Sequence, residues 1–345
     1  MDLALATRHV SLSVCINGAS GVSEARRTAT RLAESLQLGG PEIDSVARVA
    51  TEAAANIVAH AERGELLLRP GDAEAEPSVE ILALDRGPGI RNVAQAQKDG
   101  FSTSGAPGLG LGAIARLSTF FDISSAPGKG TALLARVGRA GHRGPAVTGL
   151  QWGVVCVPKS EEKACGDAWA VTASHGQTSI LIVDGLGHGP AAFTAARQAL
   201  HAFRELAAEG PESMLKAIHE ALRETRGAVA AVAGIDWQRS AVRYAGAGNI
   251  MGTLVRAVGP ALNLISHNGT LGEKVARFQE FTYPWPAQGL LILCSDGLSS
   301  HWDLEPYPGL KRKDPGLIAG ILYRDFASRK DDVVVLVGRQ RGEVT

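Results

Sequence analysis

At 345 residues, 45% hydrophobic and 20% charged, the chain has an ordinary globular composition and is long enough for two domains with a core each. Lys+Arg and Asp+Glu stand at 35 each, so no bulk charge draws the protein to nucleic acid or to an anionic membrane, and neither is expected as a partner. No apolar run approaches the roughly 20 residues of a membrane span, the N-terminus opens on an acid, and the four cysteines form no C-x-x-C pair, so the expectation is a reduced, cytoplasmic protein, neither exported nor membrane-embedded.

Apolar periodicity predicts a strand at Val10–Ile16, helices at about Val22–Gln37 and Pro41–Ala61, and strands at Glu65–Arg69 and Val79–Leu84. A long Gly-rich loop follows, then a helix at Leu111–Phe121 and a strand at Thr131–Val137. Helices with mostly antiparallel strands in this order suggest a two-layer α+β sandwich over residues 1–137. Glu52 and Asn56 lie four apart and share a helix face that otherwise offers Ala and Val. An Asn amide oxygen suits Mg²⁺, and a carboxylate one turn away can take a proton from an attacking hydroxyl. Alone, the pair is weak evidence and reads first as exposed polar residues on a helix.

Asp85 follows the apolar strand V-E-I-L-A-L, with Gly87 and Gly89 after it. A carboxylate there can accept a hydrogen bond from an adenine amino group while the glycines let the backbone approach a base, although Asp, Gly and Pro also build any ordinary turn. In G-A-P-G-L-G-L-G-A-I, Gly108, Gly110 and Gly112 run into a helical pattern, and the unpaired amides of a helix start suit a triphosphate. No G-K-[ST] follows, so this is not a Walker loop.

Residues 138–148, opening G-R-A-G-H-R-G-P, lack periodicity and read as a linker to a second domain at 149–345. That domain is expected to hold strands at Gly153–Val157, Ala168–Ala173 and Ser179–Val183, helices at about Pro190–Glu209 and Glu212–Thr225, and strands near Val229–Asp236, Ala241–Ala247, Met251–Ala257, Leu290–Cys294 and Val333–Val337. Four aspartates border these apolar runs: Asp167 and Asp331 before strands, Asp184 and Asp296 after them. Carboxylates converging at sheet edges repel one another and need cations, and hard oxygen ligands without a Cys/His cluster select Mg²⁺ or Mn²⁺ over zinc. Two such ions can activate a water for in-line attack on a phosphate ester.

The order Glu52/Asn56, D-R-G-P-G, G-L-G-L-G and G-K-G-T resembles the GHKL ATPase/kinase superfamily, in particular the RsbT-like anti-sigma-factor serine kinases. The resemblance implies ATP with Mg²⁺ as cofactors, Glu52 as base, Asn56 as Mg²⁺ ligand, Asp85 on adenine, Gly87 and Gly89 around the base, Gly108, Gly110 and Gly112 on the phosphates, and Thr131 lining the adenine pocket. The second half, with V-D-G-L-G-H-G-P-A-A, resembles the SpoIIE/RsbX-like branch of the PPM metal-dependent protein phosphatases. That likeness implies an α-β-β-α sandwich, two Mn²⁺ or Mg²⁺ ions, and Asp167, Asp184, Gly185 (through its carbonyl), Asp296 and Asp331 as ligands, with Asp184 and Asp296 central to catalysis and His188 and Asn249 nearby. Val334 stands where that family often has Thr or Ser, which leaves Asp331 and Asp332 both open as the last ligand.

Together the halves imply a bacterial partner-switching regulator that phosphorylates and dephosphorylates Ser/Thr on a STAS-domain anti-sigma-factor antagonist, with a sigma factor or a downstream signalling enzyme as a further partner. The alternative is a kinase-like half that only binds, sequestering a partner in an ATP-dependent way, beside a phosphatase as the sole enzyme.

Overall fold

The computed structural model describes residues 10–71, 76–97, 110–139, 149–160, 162, 164–174, 176–206 and 209–342. The linker residues 140–148 and Gly108 lie outside them. The chain divides into two units, one of Met1–Pro145 with Asp303–Arg324 and one of Ala146–Trp302 with Asp325–Thr345.

The first unit is built on strands β1 (Leu12–Ile16), β2 (Gly64–Pro70), β3 (Ser78–Asp85), β4 (Phe120–Ser125) and β5 (Thr131–Gly138). They form one antiparallel sheet in the order β1-β2-β3-β5-β4. Helices α1 (Ala19–Ser35) and α2 (Gly40–Ala61) present small apolar residues such as Ala29, Ala50 and Ala54 to one face, where Leu66, Leu68, Ile81, Ala83, Leu133 and Ala135 complete the core. Short α3 (Val93–Ala96) and α4 (Gly110–Leu117) flank the Gly-rich loop. The helix expected to reach Phe121 ends at Leu117, because Thr119 already donates its backbone N–H to the Arg136 carbonyl and the β-prone Phe120–Ile123 run pairs with β5.

Strand side chains alternate between faces, and Leu67, Leu82, Leu84 and Leu134, which point away from α1 and α2, are buried as well. The second face receives α7 (Pro315–Phe326), which comes from the far end of the sequence. Residues Pro315 to Tyr323 of that helix are all buried. A Cβ on Gly320 would lie 2.7 Å from Leu82 Cδ2, so glycine is what lets the helix axis approach the sheet. Polar residues on this face are matched in pairs: Arg136 makes a bidentate contact with Asp314 at 2.9 and 3.1 Å, and Tyr323 Oη donates to Glu65 at 3.0 Å. Burial by itself would raise the Glu80 carboxyl, but Arg69 and Arg136, each 2.7 Å away, hold it down at about 2. The described residues up to 137 thus make a helix-on-sheet sandwich whose outer sheet face is closed by residues expected in the other domain.

The second unit opens with β6 (Leu150–Val157), β7 (Asp167–Ser174), β8 (Gln177–Gly185), α5 (Pro190–Glu205) and α6 (Pro211–Ala221). Strands β9 (Ala228–Asp236), β10 (Ala241–Ala247) and β11 (Met251–Val255) follow, then the short β12 (Leu262–Asn263), β13 (Gly269–Thr270) and β14 (Lys274–Val275), then β15 (Phe281–Pro284), β16 (Leu290–Cys294) and β17 (Val333–Gln340). One sheet runs β15-β10-β9-β8-β7, the other β12-β11-β16-β17-β6, and β13-β14 form a small ribbon. Helices α5 and α6 cover the first of these through Ala195, Ala199, Phe203, Leu215 and Ile218, against alanine-rich β9. No helix of the described residues is long and apolar enough to cross a membrane.

Candidate active sites

In the first unit the site residues converge where β3 ends and β5 begins. The β3–β5 register runs to Leu84↔Ala132, which sets Asp85 beside Thr131 just past the last pair. Asp85 Oδ1 accepts from the Gly87 N–H at 2.8 Å and the Thr131 N–H at 3.1 Å. Burial nevertheless pushes this carboxyl above its ordinary range. A Cβ on Gly89 would come within 2.0 Å of the Ala126 carbonyl, and one on Gly130 within 2.1 Å of the Asp85 carbonyl, so both turns exclude side chains. Ser125, unremarked in the sequence, ties this loop together: its hydroxyl accepts from Ile90 N–H at 2.8 Å and lies 2.9 Å from both the Gly130 carbonyl and Thr131 Oγ1.

Glu52 and Asn56 sit half-buried on α2. Asn56 Nδ2 is a buried polar atom with no hydrogen-bond partner among the described residues, a cost that a bound polar group would offset. Gly110 and Gly112 start α4, and Gly110 has φ of 52°. An unsatisfied amide N–H, an acceptor carboxylate and two glycines in the first turn of a helix fit a nucleotide.

In the second unit, strand register explains how distant aspartates meet. Asp167 and Asp184 are direct cross-strand partners on β7 and β8. Met251 pairs with Cys294, so Asn249 and Asp296, each two residues beyond that pair, face each other, and Asn249 Nδ2 donates to Asp296 Oδ2 at 2.7 Å. An open cleft of about 490 Å³ is lined by Asp184, Asp296 and Asp331 together with His188, Asn249, Asn268, Lys159 and Lys330. His188 Nδ1 lies 2.9 Å from Glu162.

Asp167 does not reach the cleft lining. It is buried beside Asp184 and accepts from Ser295 Oγ at 2.6 Å. Asp332 also turns inward: its two oxygens accept from the Lys159 N–H at 2.7 Å and the Gly166 N–H at 2.8 Å, which staples both loops beneath the cleft. Gly185 is buried, and a Cβ there would come within 2.3 Å of the Ala192 carbonyl.

Burial, then repulsion from Asp296 and Asp331, raises Asp184 to about 7, while burial and the neighbouring Asp184 drive Asp167 well above the carboxylate range. Burial and then Asp331 also raise Asp296. Among the described residues no three acidic, His or Cys side chains already meet at one ligating point. Carboxylates that resist ionising together, with no bound thiol or imidazole set, fit hard divalent cations.

Residues 19–137 match the family model of a histidine kinase-like ATPase domain, and residues 174–339 match that of stage II sporulation protein E (SpoIIE). Over 111 residues the sequence is 32% identical to serine/threonine-protein kinase RsbT of Bacillus subtilis (strain 168), spanning 84% of that protein and 32% of this chain. The chain belongs to the RsbT-like kinase family. Over 182 residues this RsbT-like chain is also 25% identical to phosphoserine phosphatase RsbX of the same organism, covering 90% of that protein and 52% of this one. A solved structure described as "The bacterial stressosome: a modular system that has been adapted to control secondary messenger signaling" aligns at 28% identity with a TM-score of 0.51, covering 55% of this chain and 99% of that one. An RsbT-like kinase domain and a SpoIIE-type phosphatase domain therefore share one polypeptide, the arrangement of a partner-switching regulator.

Ser125, Ser295, Lys159 and Lys330 escaped sequence reasoning. Lys330 precedes the Asp-Asp pair and could have been flagged by adjacency, whereas the two serines carry no spacing signal, since their roles depend on strand pairing.

Proposed function

We propose that this protein transfers the γ-phosphoryl group of ATP to a Ser or Thr hydroxyl of a STAS-domain antagonist and removes phosphate from the same or a related partner, as a cytoplasmic partner switch. The observation that carries the reading is the presence, on one chain, of an Asp85/Asn56 nucleotide constellation and an Asp184/Asp296/Asp331 cleft. In the first unit Asp85 accepts from the adenine amino group, with Gly87, Gly89 and Thr131 shaping the base pocket. Asn56 presents its amide oxygen to Mg²⁺, while Gly110 and Gly112 leave backbone amides open to the phosphates. Glu52, one turn from Asn56, takes the proton of the attacking hydroxyl.

In the second unit Asp184, Asp296, Asp331 and the Gly185 carbonyl hold two Mg²⁺ or Mn²⁺ ions. When bound, these ions supply a nucleophilic water near neutral pH and neutralise the phosphate ester. Asn249 orients Asp296. Asp167 acts from beneath Asp184, whether as a direct ligand or through that carboxylate. A sigma factor or a signalling enzyme would lie downstream of the partner.

The test is to incubate the full chain with ATP, Mg²⁺ and the STAS protein encoded nearest its gene, and to follow phosphoprotein on gels. Transfer should occur and should vanish in Glu52→Ala while nucleotide binding persists. Binding without transfer in the native chain would leave the first unit as a sequestering module.

A further inference from the structure

The backbone of Asp85 is held by a residue that the sequence places in the other half of the chain. Arg324, at the C-terminal end of α7, donates from Nη1 to the Asp85 carbonyl at 2.8 Å and, more loosely, to the Thr131 carbonyl at 3.4 Å. In the opposite direction Arg86 Nη2 donates to the Arg324 carbonyl. Asp85–Arg86 and Arg324 are thereby clasped twice, backbone to side chain in both directions. The clasp falls just beyond Leu84↔Ala132, where the β3–β5 register stops and the ladder no longer fixes the chain. The Asp85 carbonyl that Arg324 holds is also the atom against which Gly130 packs, and the Thr131 that it reaches supplies an N–H to Asp85 Oδ1. Of the two N–H groups that aim the Asp85 carboxylate, that of Thr131 belongs to a residue whose carbonyl the guanidinium also reaches, while that of Gly87 follows Arg86, which holds the Arg324 carbonyl.

We propose that Arg324 is a positioning residue of the nucleotide site, setting the Asp85 carboxylate for the adenine amino group and so sharpening selection of ATP over GTP. The inference rests on the adenine reading of Asp85. Guanine carries a carbonyl where adenine carries its amino group, so a fixed acceptor rejects it, and a carboxylate free to swing rejects it less. Arginine suits the task because its planar, permanently charged fork can serve two carbonyls from one fixed geometry, which a lysine ammonium on a flexible stem does poorly. The consequence is that the kinase-type domain is not a separable cassette: residues 303–324 complete its nucleotide site.

The experiment measures ATP and GTP Kd by calorimetry with Mg²⁺ on the full chain and on Arg324→Met, Arg324→Lys, Asp85→Asn and Glu80→Gln. Arg324→Met keeps the stem and removes the donors. Its ATP Kd should rise about tenfold, the scale of one or two lost hydrogen bonds, with a smaller change for GTP. Arg324→Lys should fall between Arg324→Met and the native chain. Glu80→Gln destabilises the first unit through Arg69 and Arg136, away from the clasp, and should leave the ATP/GTP ratio intact. If it narrows the ratio as Arg324→Met does, the role is structural and the proposal is wrong. An Arg324→Met ratio within twofold of native, beside a weakened Asp85→Asn, overturns the positioning role alone. Unchanged ATP affinity in Asp85→Asn overturns the adenine reading and this inference with it. Should Arg324→Met not fold, Arg324→Lys decides, and a native ATP Kd in that variant overturns the proposal.

Discussion

Glu80 and the Asp331–Asp332 pair show how carboxylates diverge according to what faces them. Glu80 is flanked by two guanidinium groups and stays ionised down to about 2, below its ordinary 4.5. Its folded value is depressed, so the stabilisation is fully present above about pH 4.5 and is lost as pH falls through about 2. Glu80→Gln should flatten the acid side of the stability profile across that window and, by leaving Arg69 and Arg136 short of a partner, destabilise the first unit by about 3 kcal/mol at neutral pH. Urea unfolding between pH 2 and 7 checks both.

The adjacent aspartates make a sharper pair. Asp331 lines the cleft, whereas Asp332 spends both oxygens on backbone amides. Asp331→Asn should cost orders of magnitude in Mn²⁺-dependent hydrolysis of p-nitrophenyl phosphate with an unchanged melting temperature. Asp332→Asn turns one acceptor into a donor facing an N–H, and should destabilise the second unit by about 1–3 kcal/mol. The reverse pattern would make Asp332 the ligand.

At the scale of elements, α7 is the decisive piece. It carries three ordinary helix features, an apolar run, Pro315 at its start and a basic residue in its last turn, and none of them says which sheet it covers. Gly316 and Gly320 lie four apart on the face that meets Leu134 and Leu82. Gly320→Val should overpack that contact and lower stability by about 1–3 kcal/mol, read as a lower urea midpoint for the first unit. An unchanged midpoint would mean that α7 can rise off the sheet at no cost. The α4–β4 boundary makes a related point: local propensity carried the helix through Phe121, and the partner strand β5 ended it.

Across the whole molecule, the proposed function has two opposed activities on one polypeptide, which would act at a raised effective concentration on a shared partner. Glu52→Ala should lower, and Asp296→Asn raise, the steady-state phosphorylation of a single STAS-domain partner when ATP and Mn²⁺ are both supplied, as seen on phosphoprotein gels. If the two variants change different partners, the chain couples two branches of a pathway and is not a single reversible switch.

The sequence by itself marked most of the larger elements and singled out the residues proposed to carry chemistry, but gave neither the helix at Pro315–Phe326 nor the strand at Phe120–Ser125. Polar side chains at strand ends, set against apolar runs, are local signals, and the sequence proposed Asp85, Asp184, Asp296 and Asp331 for that reason. It also carried an unread hint of a third layer, because Leu66–Leu68, Ile81–Leu84 and Ala132–Ala135 are continuous apolar runs, the mark of strands buried on both faces. Only the tertiary structure decided what lies on that second face, which aspartate faces the cleft and which staples loops, and that Arg324 serves Asp85 from 239 positions away. These outcomes depend on register and on packing between distant segments. A one-residue change of register exchanges a strand's faces, and no local pattern records which distant helix will fill the gap between two glycines and two leucines.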